Sequence, residues 1–428
     1  MMRIRSLLIL TVLALTAAAC GGEAGTTTTA ADPGEDTTAT TEADTTEPTE
    51  TTQQTADTAD DGDGDEPILI GAAVDLTSQM APFDAPAMAA AQIEVDQINA
   101  DGGVDGRPLQ IEIIDTQLDP EQTLSAAIDL LDQGAAALLV TCDVDFATPA
   151  VQEALERGVL AVAPCIGTDQ MGPDRFGDQG AQAFSFGNVA QDEGAAMAEF
   201  AIDQGWMTAA TIKDNLIVYF QDVVDAFTVR YEELGGTISV QEEFTNGDGT
   251  IGSVVSSVAE ADIDVIATST AFDDMPAMVQ GLRSLGNQTP MICGWSCDGA
   301  YWISEDLSEF YYVTFASVFG DDPSSDVNEL IEEMEAATGQ PPVTGGFITG
   351  AATIEAIAAG IEETGSTDGS ELASFLEGLD GFTTLTGPIS LSPEFHTVFG
   401  REYRVMEVQD GQHSLVEIRQ AESPADIG

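Results

Sequence analysis

The chain has very few positive charges. Its 428 residues include 11 Lys plus Arg against 75 Asp plus Glu, for a net charge of −64, and Lys213 is the one lysine. Nucleic acids and anionic membrane surfaces are polyanions, so we expect no nucleic-acid partner. The acidity is either an adaptation to a salty or acidic exterior, where counterions screen the self-repulsion, or a face that docks a cationic partner.

Histidine is almost absent as well. His396 and His413 are the only two, and both fall late in the chain, so no nucleophile with its base is evident. The dinucleotide fingerprint G-x-G-x-x-G is missing after the first predicted strand, and neither G-x-S-x-G nor a phosphate-binding loop appears. These absences predict that the chain is not an enzyme and holds no cofactor.

Cysteines number five. With Cys20 set aside, four remain, an even number that suits an exported protein and allows three pairings. Cys142 and Cys165 follow strands that we predict to be adjacent and parallel, while Cys293 and Cys297 would close one loop, so we predict these two disulfides. A metal site is the alternative, but no histidine lies near and the spacing is not C-x-x-C, so we predict no metal.

The apolar run at the amino terminus, Leu7 to Leu15, is too short to span a membrane. It follows Arg3 and Arg5 and precedes T-A-A-A-C, the pattern of a signal peptide with small residues at its cleavage site. The cysteine directly after three alanines resembles a bacterial lipoprotein box, which implies lipidation of Cys20. We therefore assign residues 1–20 to a lipoprotein signal peptide and expect an extracytoplasmic protein anchored to the membrane by lipid. Ordinary secretion with an incidental Cys20 is the alternative.

Residues 21–66 contain neither a basic nor an aromatic side chain. A segment rich in Thr, Ala, Asp and Glu cannot form a core, so it predicts a disordered tether. Such a linker reaches on the order of 40 Å, which would let the folded part stand clear of a cell envelope.

Strand-like and helix-like patterns alternate through the rest of the chain. Short β-branched runs such as Ile68 to Val74 and Leu109 to Ile114 are separated by helical patterns, and a second such series follows. We predict an α/β fold of two Rossmann-like lobes with parallel sheets, whose three crossings act as a hinge around a ligand cleft. The predicted bounds are 67–190 plus 317–398 for lobe 1 and 191–316 plus 399–420 for lobe 2.

The segment INADGGVDGRPLQIEIIDTQLDP, residues 98–120, resembles the IN-x-x-GG-(I/V)-x-G segment of ABC-transporter substrate-binding proteins of the leucine/isoleucine/valine-binding family. The resemblance continues through residues 219–236, 271–286 and 337–393. It implies the type 1 periplasmic-binding-protein fold and a receptor that delivers a small-molecule solute to ABC permease subunits. We expect a monomer. A ligand sensor of the same fold that signals to a membrane or regulatory partner is the alternative.

In such a fold, loops at the carboxyl ends of strands meet the ligand. The resemblance implies that Phe83 packs against the solute, that Tyr219 reaches it, and that Asp298, after a two-residue shift, receives its ammonium. A loop-core aromatic and a solvated loop acid are the alternatives for Phe83 and Asp298. The full set of predicted ligand-binding residues is Phe83, Asp143, Val144, Cys165, Gly167, Thr168, Tyr219, Phe272 and Asp298.

Two loops depart from the family pattern. The segment from Cys142 to Thr148 is one residue longer, and Cys165 to Thr168 replaces an Ala-Thr pair, so Thr168 can take the threonine's part only if the loop shifts by one residue. The acids Asp143, Asp145 and Asp298 near a cleft with few cations favour a cationic solute over a dianion. We therefore hypothesise a small amine or an amino-acid-like solute.

Overall fold

A five-stranded parallel sheet forms the centre of the first lobe. The computed structural model describes residues 66–299 and 301–427; the predicted signal peptide, Cys20 and the tether up to residue 65 lie outside them. The strands of this sheet are β1 (Ile68–Val74), β2 (Leu109–Asp115), β3 (Ala137–Val140), β4 (Leu160–Ala163) and β5 (Ala183–Ser185). They are ordered β2-β1-β3-β4-β5 and all pairs are parallel.

Helices connect these strands. They are α1 (Ala81–Ala100), α2 (Pro120–Asp132), α3 (Val144–Glu156) and α4 (Pro173–Phe176). α1 begins at Ala81. Pro82 lies in its first turn, where the backbone N–H that proline lacks would have no partner within the helix. The side chain of Asp143 caps α3 by accepting hydrogen bonds from the N–H groups of Asp145 and Phe146.

The second lobe repeats the alternation. Its elements are α5 (Ala190–Asp203), β6 (Thr208–Asp214), α6 (Val218–Glu233), β7 (Thr237–Phe244), α7 (Ile251–Ala259), β8 (Val265–Ser269), α8 (Asp274–Ser284), β9 (Met291–Cys293) and β10 (Phe310–Thr314). Strands β6 to β10 pair in parallel. The α/β fold with two lobes, predicted from the sequence, is confirmed.

The last part of the chain returns to both lobes. Its elements are α9 (Ser325–Thr338), α10 (Ile348–Thr364), α11 (Gly369–Leu376), β11 (Phe382–Thr384), β12 (Gly387–Ile389), β13 (Tyr403–Gln409) and β14 (Gln412–Arg419). α9 and α10 pack on α1, whereas β13 and β14 extend the second sheet as antiparallel strands, giving the order β14-β13-β10-β9-β8-β6-β7. The second sheet thus has five parallel strands, as predicted, and the terminal hairpin adds two antiparallel strands at one edge.

The three segments that cross between the lobes contact one another through buried polar groups. Val189 N–H donates to the carbonyl of Val398 at 2.8 Å, and the guanidinium of Arg401 donates to the carbonyl of Phe186 at 2.9 Å. Arg404 binds Asp322 through two parallel hydrogen bonds of 2.9 and 3.1 Å. Hydrogen bonds and a buried ion pair thus hold the three crossings side by side.

Candidate functional site

A pocket lies between the lobes at the carboxyl ends of strands from both sheets. The first lobe contributes side chains from the start of α1 and from the loop after β3. The second contributes the start of α6 and the loops after β8 and β9. The lining residues are Met80, Phe83, Cys142, Asp143, Ile217, Tyr219, Phe220, Ala271, Phe272, Trp295 and Ser296. This is the edge at which parallel α/β sheets bind ligands.

Aromatic rings form most of the pocket wall. The ring of Phe83 packs edge-on against Trp295 across the interlobe gap, with centroids 5.2 Å apart. Tyr219 also packs edge-on against Trp295, at 6.3 Å. Phe83, Tyr219 and Trp295 are each at most 5% exposed, so these walls of the pocket are shielded from solvent in this conformation.

Both predicted disulfides are present. Cys142 bonds to Cys165, with Cα atoms 4.8 Å apart, and so joins the loops after β3 and β4. Cys293 bonds to Cys297 across the turn after β9. Within the described residues, Asp84 lies with the sulfurs of Cys142 and Cys165 as a possible metal-ligand group, but sulfurs bonded to each other are not thiolates and cannot act as metal ligands in that state.

Asp84 supports the pocket from behind, and sequence reasoning missed it. Its carboxylate accepts hydrogen bonds from the N–H groups of Asp75 and Cys142, each at 2.8 Å, and from the hydroxyl of Thr141. Burial raises its pKa to about 7, although these hydrogen bonds oppose the shift. Asp84 thus fixes the start of α1 to the loop that carries Cys142.

Asp143 lies in the pocket wall, where it was predicted. Its Oδ1 accepts the N–H groups of Asp145 and Phe146 at 2.9 and 3.2 Å. Burial and, to a smaller degree, the charge of Asp145 raise its pKa to about 7. Val144 starts α3 and packs into a hydrophobic core cluster, so it is not among the described residues that line the pocket.

Glu193 is a second acid that sequence reasoning missed. It is fully buried in α5, and its Oε1 accepts hydrogen bonds from the Tyr219 hydroxyl and from the Trp295 N–H, both at 2.8 Å. Within the part of the chain that the structure describes, its Oε2 has no hydrogen-bond partner, and burial raises the pKa of Glu193 to about 7. Glu193 therefore positions two of the aromatic walls. An acid within the apolar helix AQDEGAAMAEF was the available signal.

The loop after β4 contacts the second lobe. A Cβ on Gly167 would lie 2.5 Å from the Tyr219 ring, so only glycine lets the loop approach that ring. The Thr168 hydroxyl donates to Asp222 of α6 at 2.7 Å, and Asp145 accepts the N–H of Val218, also in α6, at 3.0 Å. Gly167 and Thr168 thus join the lobes at the pocket edge, and Cys165 lies behind Cys142.

Asp298 does not line the pocket. Its Oδ2 accepts hydrogen bonds from the Thr314 hydroxyl at 2.6 Å and from the Gly345 N–H at 2.5 Å. The short turn between Cys293 and Cys297 brings Trp295 and Ser296 to the pocket instead. The contact of Asp298 with the solute stays a prediction, although Asp298 is not among the described residues that line this pocket.

Neither lysine, arginine nor histidine is among the described residues that line the pocket. Phe272 lines it, as predicted, after β8. His396 stacks on Phe184 and His413 on Phe319, both outside the pocket. In the part of the chain that the structure describes, no helix has the length and apolar character needed to cross a bilayer.

Two α/β lobes joined by three crossings, with an enclosed pocket at the strand ends, define the class of two-lobed binding proteins. The family described as periplasmic binding protein matches residues 67–412. The chain belongs to this family.

Individual relatives are distant. The Leu/Ile/Val-binding protein homolog 1 of Brucella abortus (strain 2308) is 22% identical over 329 residues, which cover 76% of this chain and 85% of that protein. The fold is similar to that of the branched-chain amino acid transporter substrate binding protein of Streptococcus pneumoniae in complex with isoleucine (TM-score 0.72, 19% identity, 83% of this chain and 100% of the other). It is equally similar to a solute binding protein of an ABC transporter from Rhodopseudomonas palustris in complex with 3,4-dihydroxybenzoic acid (TM-score 0.71, 16% identity, 85% and 99%).

Proposed function

We propose that the protein is an extracytoplasmic receptor that captures a small amino-acid-like or amine-bearing solute in the interlobe pocket and delivers it to an ABC permease. The observation that carries this proposal is a pocket lined by Asp143 and by no positive side chain. A solute with a positive group gains from that carboxylate, whereas an anion would be repelled by it. The transporter relatives favour delivery to a permease over the alternative of a sensor.

The remaining assignments belong to the same proposal. Lobe 1 comprises 67–190 plus 317–398, and lobe 2 comprises 191–316 plus 399–420. The chain acts by binding rather than catalysis, as a monomer held to the membrane through lipid on Cys20. Labelling with a radioactive fatty acid tests the anchor, since the Cys20→Ala variant should lose all label that the parent incorporates.

A thermal-shift screen of the mature protein tests the solute class. It compares amino acids and amines with uncharged and anionic compounds of similar size. A solute that binds only the folded state stabilises it by about 2.7 kcal/mol at 100 times its Kd, so we expect melting-temperature increases confined to amine-bearing compounds. Stabilisation by uncharged or anionic compounds alone would contradict the proposed solute class.

An uptake measurement tests delivery. Cells that lack the receptor should lose accumulation of the radiolabelled solute, and the reintroduced parent gene should restore it. Binding without any effect of the deletion on uptake would favour the sensor instead.

A further inference from the structure

The pocket combines five aromatic side chains with a single carboxylate. The rings belong to Phe83, Tyr219, Phe220, Phe272 and Trp295, and the carboxylate to Asp143. Aromatic residues make up only 6% of the chain, so five around one pocket is a strong local concentration. The face of an aromatic ring carries partial negative charge and attracts cations.

The rings are inclined to one another. Interplanar angles are 66° between Phe83 and Trp295, 64° between Tyr219 and Trp295, and 60° between Phe220 and Phe272. Phe315 stacks on one face of Trp295 at 5.1 Å and 15°, so that face is covered. None of these three pairs of lining rings is stacked in parallel, so each pair covers at most one ring face and leaves other faces that can meet a guest between the lobes.

The buried carboxylates offer negative charge but few hydrogen-bond acceptors. Oδ1 of Asp143 already accepts two backbone N–H groups. Oε1 of Glu193 accepts the Tyr219 hydroxyl and a backbone N–H, and its Oε2 is the one oxygen of that carboxylate left without a partner among the described residues. Both oxygens of Asp84 are likewise occupied. A primary ammonium has three N–H donors, and each needs an acceptor when it is buried. A fully alkylated ammonium has none, so it needs no hydrogen-bond acceptor from the pocket.

We propose that the natural solute carries an alkylated ammonium group, of the trimethylammonium type, held by the faces of these five rings with Asp143 as its counter-charge. The inference rests on the proposed function, because it names the solute class of the same pocket. Anionic solutes such as aromatic acids fit poorly, since a carboxylate would lie near Asp143 without any lysine or arginine in the lining.

Isothermal titration calorimetry on the mature protein tests the charge directly. Choline and its neutral isostere 3,3-dimethyl-1-butanol have nearly the same shape and differ in charge, while leucine and benzoate represent the other classes. We expect choline to bind at least about tenfold more tightly than the isostere, as desolvated cation–π contacts from several rings require. Equal affinity of the two, or tighter binding of leucine or benzoate, would overturn the inference.

The set of solutes that bind distinguishes the alkylated-ammonium inference from the proposed receptor function. Binding of leucine or of another primary amine without choline overturns the alkylated-ammonium inference and leaves the solute receptor intact. Failure of every amine and amino acid in the wider screen overturns both.

Substitution of Phe83 tests whether the face of its ring attracts the cation. Phe83→Leu keeps apolar bulk and removes a face, so choline affinity should fall about fivefold or more while affinity for the neutral isostere changes little. Phe83→Tyr, which keeps the face, should retain the preference for choline. Phe382→Leu makes the same change in β11, outside the pocket, and should leave both affinities unchanged. An equal loss for both ligands in Phe83→Leu would mean that the ring acts only as apolar surface.

Discussion

Several acidic side chains around the interlobe cleft are buried, whereas most acidic side chains of proteins lie at the surface. They are Asp84, Asp143, Glu193 and Asp298. Burial raises the pKa of each of these carboxyl groups to about 7. In the unfolded chain these groups titrate near pH 4. Between pH 4 and 7 the folded protein therefore holds protons that the unfolded chain has released, so these acids make the free energy of unfolding fall as pH rises through that window.

Asp298→Asn should reduce this pH dependence. The amide cannot ionise, so the variant avoids the cost of a buried charge that the parent bears above pH 7. A pKa shift of about three units corresponds to at most about 4 kcal/mol, and we expect the loss of stability between pH 4.5 and 8 to shrink by a few kcal/mol. Urea unfolding at both pH values, in about 0.5 M NaCl to screen surface repulsion, measures it.

Asp105→Asn is the matched control. Asp105 is exposed and has a φ of 52°, a conformation that asparagine also adopts readily. Its variant should keep the pH dependence of the parent. If Asp298→Asn also keeps that dependence, the Asp298 carboxyl is not protonated in the folded protein at neutral pH.

Only some of the residues that form the pocket were predicted from the sequence. Phe83, Asp143, Tyr219 and Phe272 line the pocket, as proposed from their loops. Glu193 was not predicted, because nothing in a linear pattern shows that the side chain of one helix meets a tyrosine of the next helix and a backbone N–H after β9. A hydrogen bond between groups 102 residues apart in sequence exists only in three dimensions.

At the scale of secondary-structure elements, the disulfides hold the loops that follow strands β3, β4 and β9. Cys142–Cys165 closes a sequence separation of 23 residues and Cys293–Cys297 one of 4. In the chain-entropy description, a longer closed loop restricts the unfolded chain more. Replacing the first pair by alanines should cost about 3 kcal/mol and the second about 2 kcal/mol. Urea unfolding of the two double variants under oxidising conditions gives both values.

Reduction of the parent protein is the companion experiment. With both bonds reduced, its stability should fall below that of either double variant. A larger loss from the Cys293 and Cys297 pair than from the Cys142 and Cys165 pair would contradict the loop-entropy account.

A buried ion pair joins two of the segments that cross between the lobes. Arg404 and Asp322 are at most 5% exposed and form two hydrogen bonds. Arg404→Met would leave the Asp322 charge buried without its partner, at a cost of about 3 to 5 kcal/mol. Arg157→Met, which removes a partly exposed arginine paired with Asp132, should cost much less, because water already solvates that pair. Thermal unfolding of both variants measures the two losses of stability. Similar losses would show that burial does not strengthen the Arg404 pair.

Within the segment that carries the family resemblance, the turn from Ala100 to Arg107 lies away from the pocket. It turns between α1 and β2, where Ile68 N–H donates to the carbonyl of Pro108 at 2.8 Å. The starts of β1 and β2 pair there, at the edge opposite the strand ends that form the pocket. The most recognisable part of the sequence is thus a scaffold element.

At the scale of the whole molecule, contacts between the lobes accompany closure of the pocket. The Thr168 hydroxyl and Asp222 form one of them. Thr168→Val keeps the shape and removes this donor, and a hydrogen bond to a charged group contributes about 1.5 to 3 kcal/mol. We expect the balance to shift toward separated lobes and solute affinity to fall by about tenfold or more. Small-angle X-ray scattering without solute should show a larger radius of gyration.

Thr367→Val, an exposed change outside the pocket, is the control and should alter neither quantity. A lower affinity of Thr168→Val with an unchanged radius of gyration would mean that Thr168 contacts the solute itself, as the sequence first suggested.

The sequence by itself determined the α/β alternation in two series, because this follows from local periodicity. It allowed three cysteine pairings and favoured the one that the structure shows. Only the tertiary structure decided that Trp295 rather than Asp298 reaches the pocket, and that Glu193 supports two of its walls. Which side chains face a cleft depends on the turn of a single loop and on packing between distant helices. Local sequence does not contain these quantities.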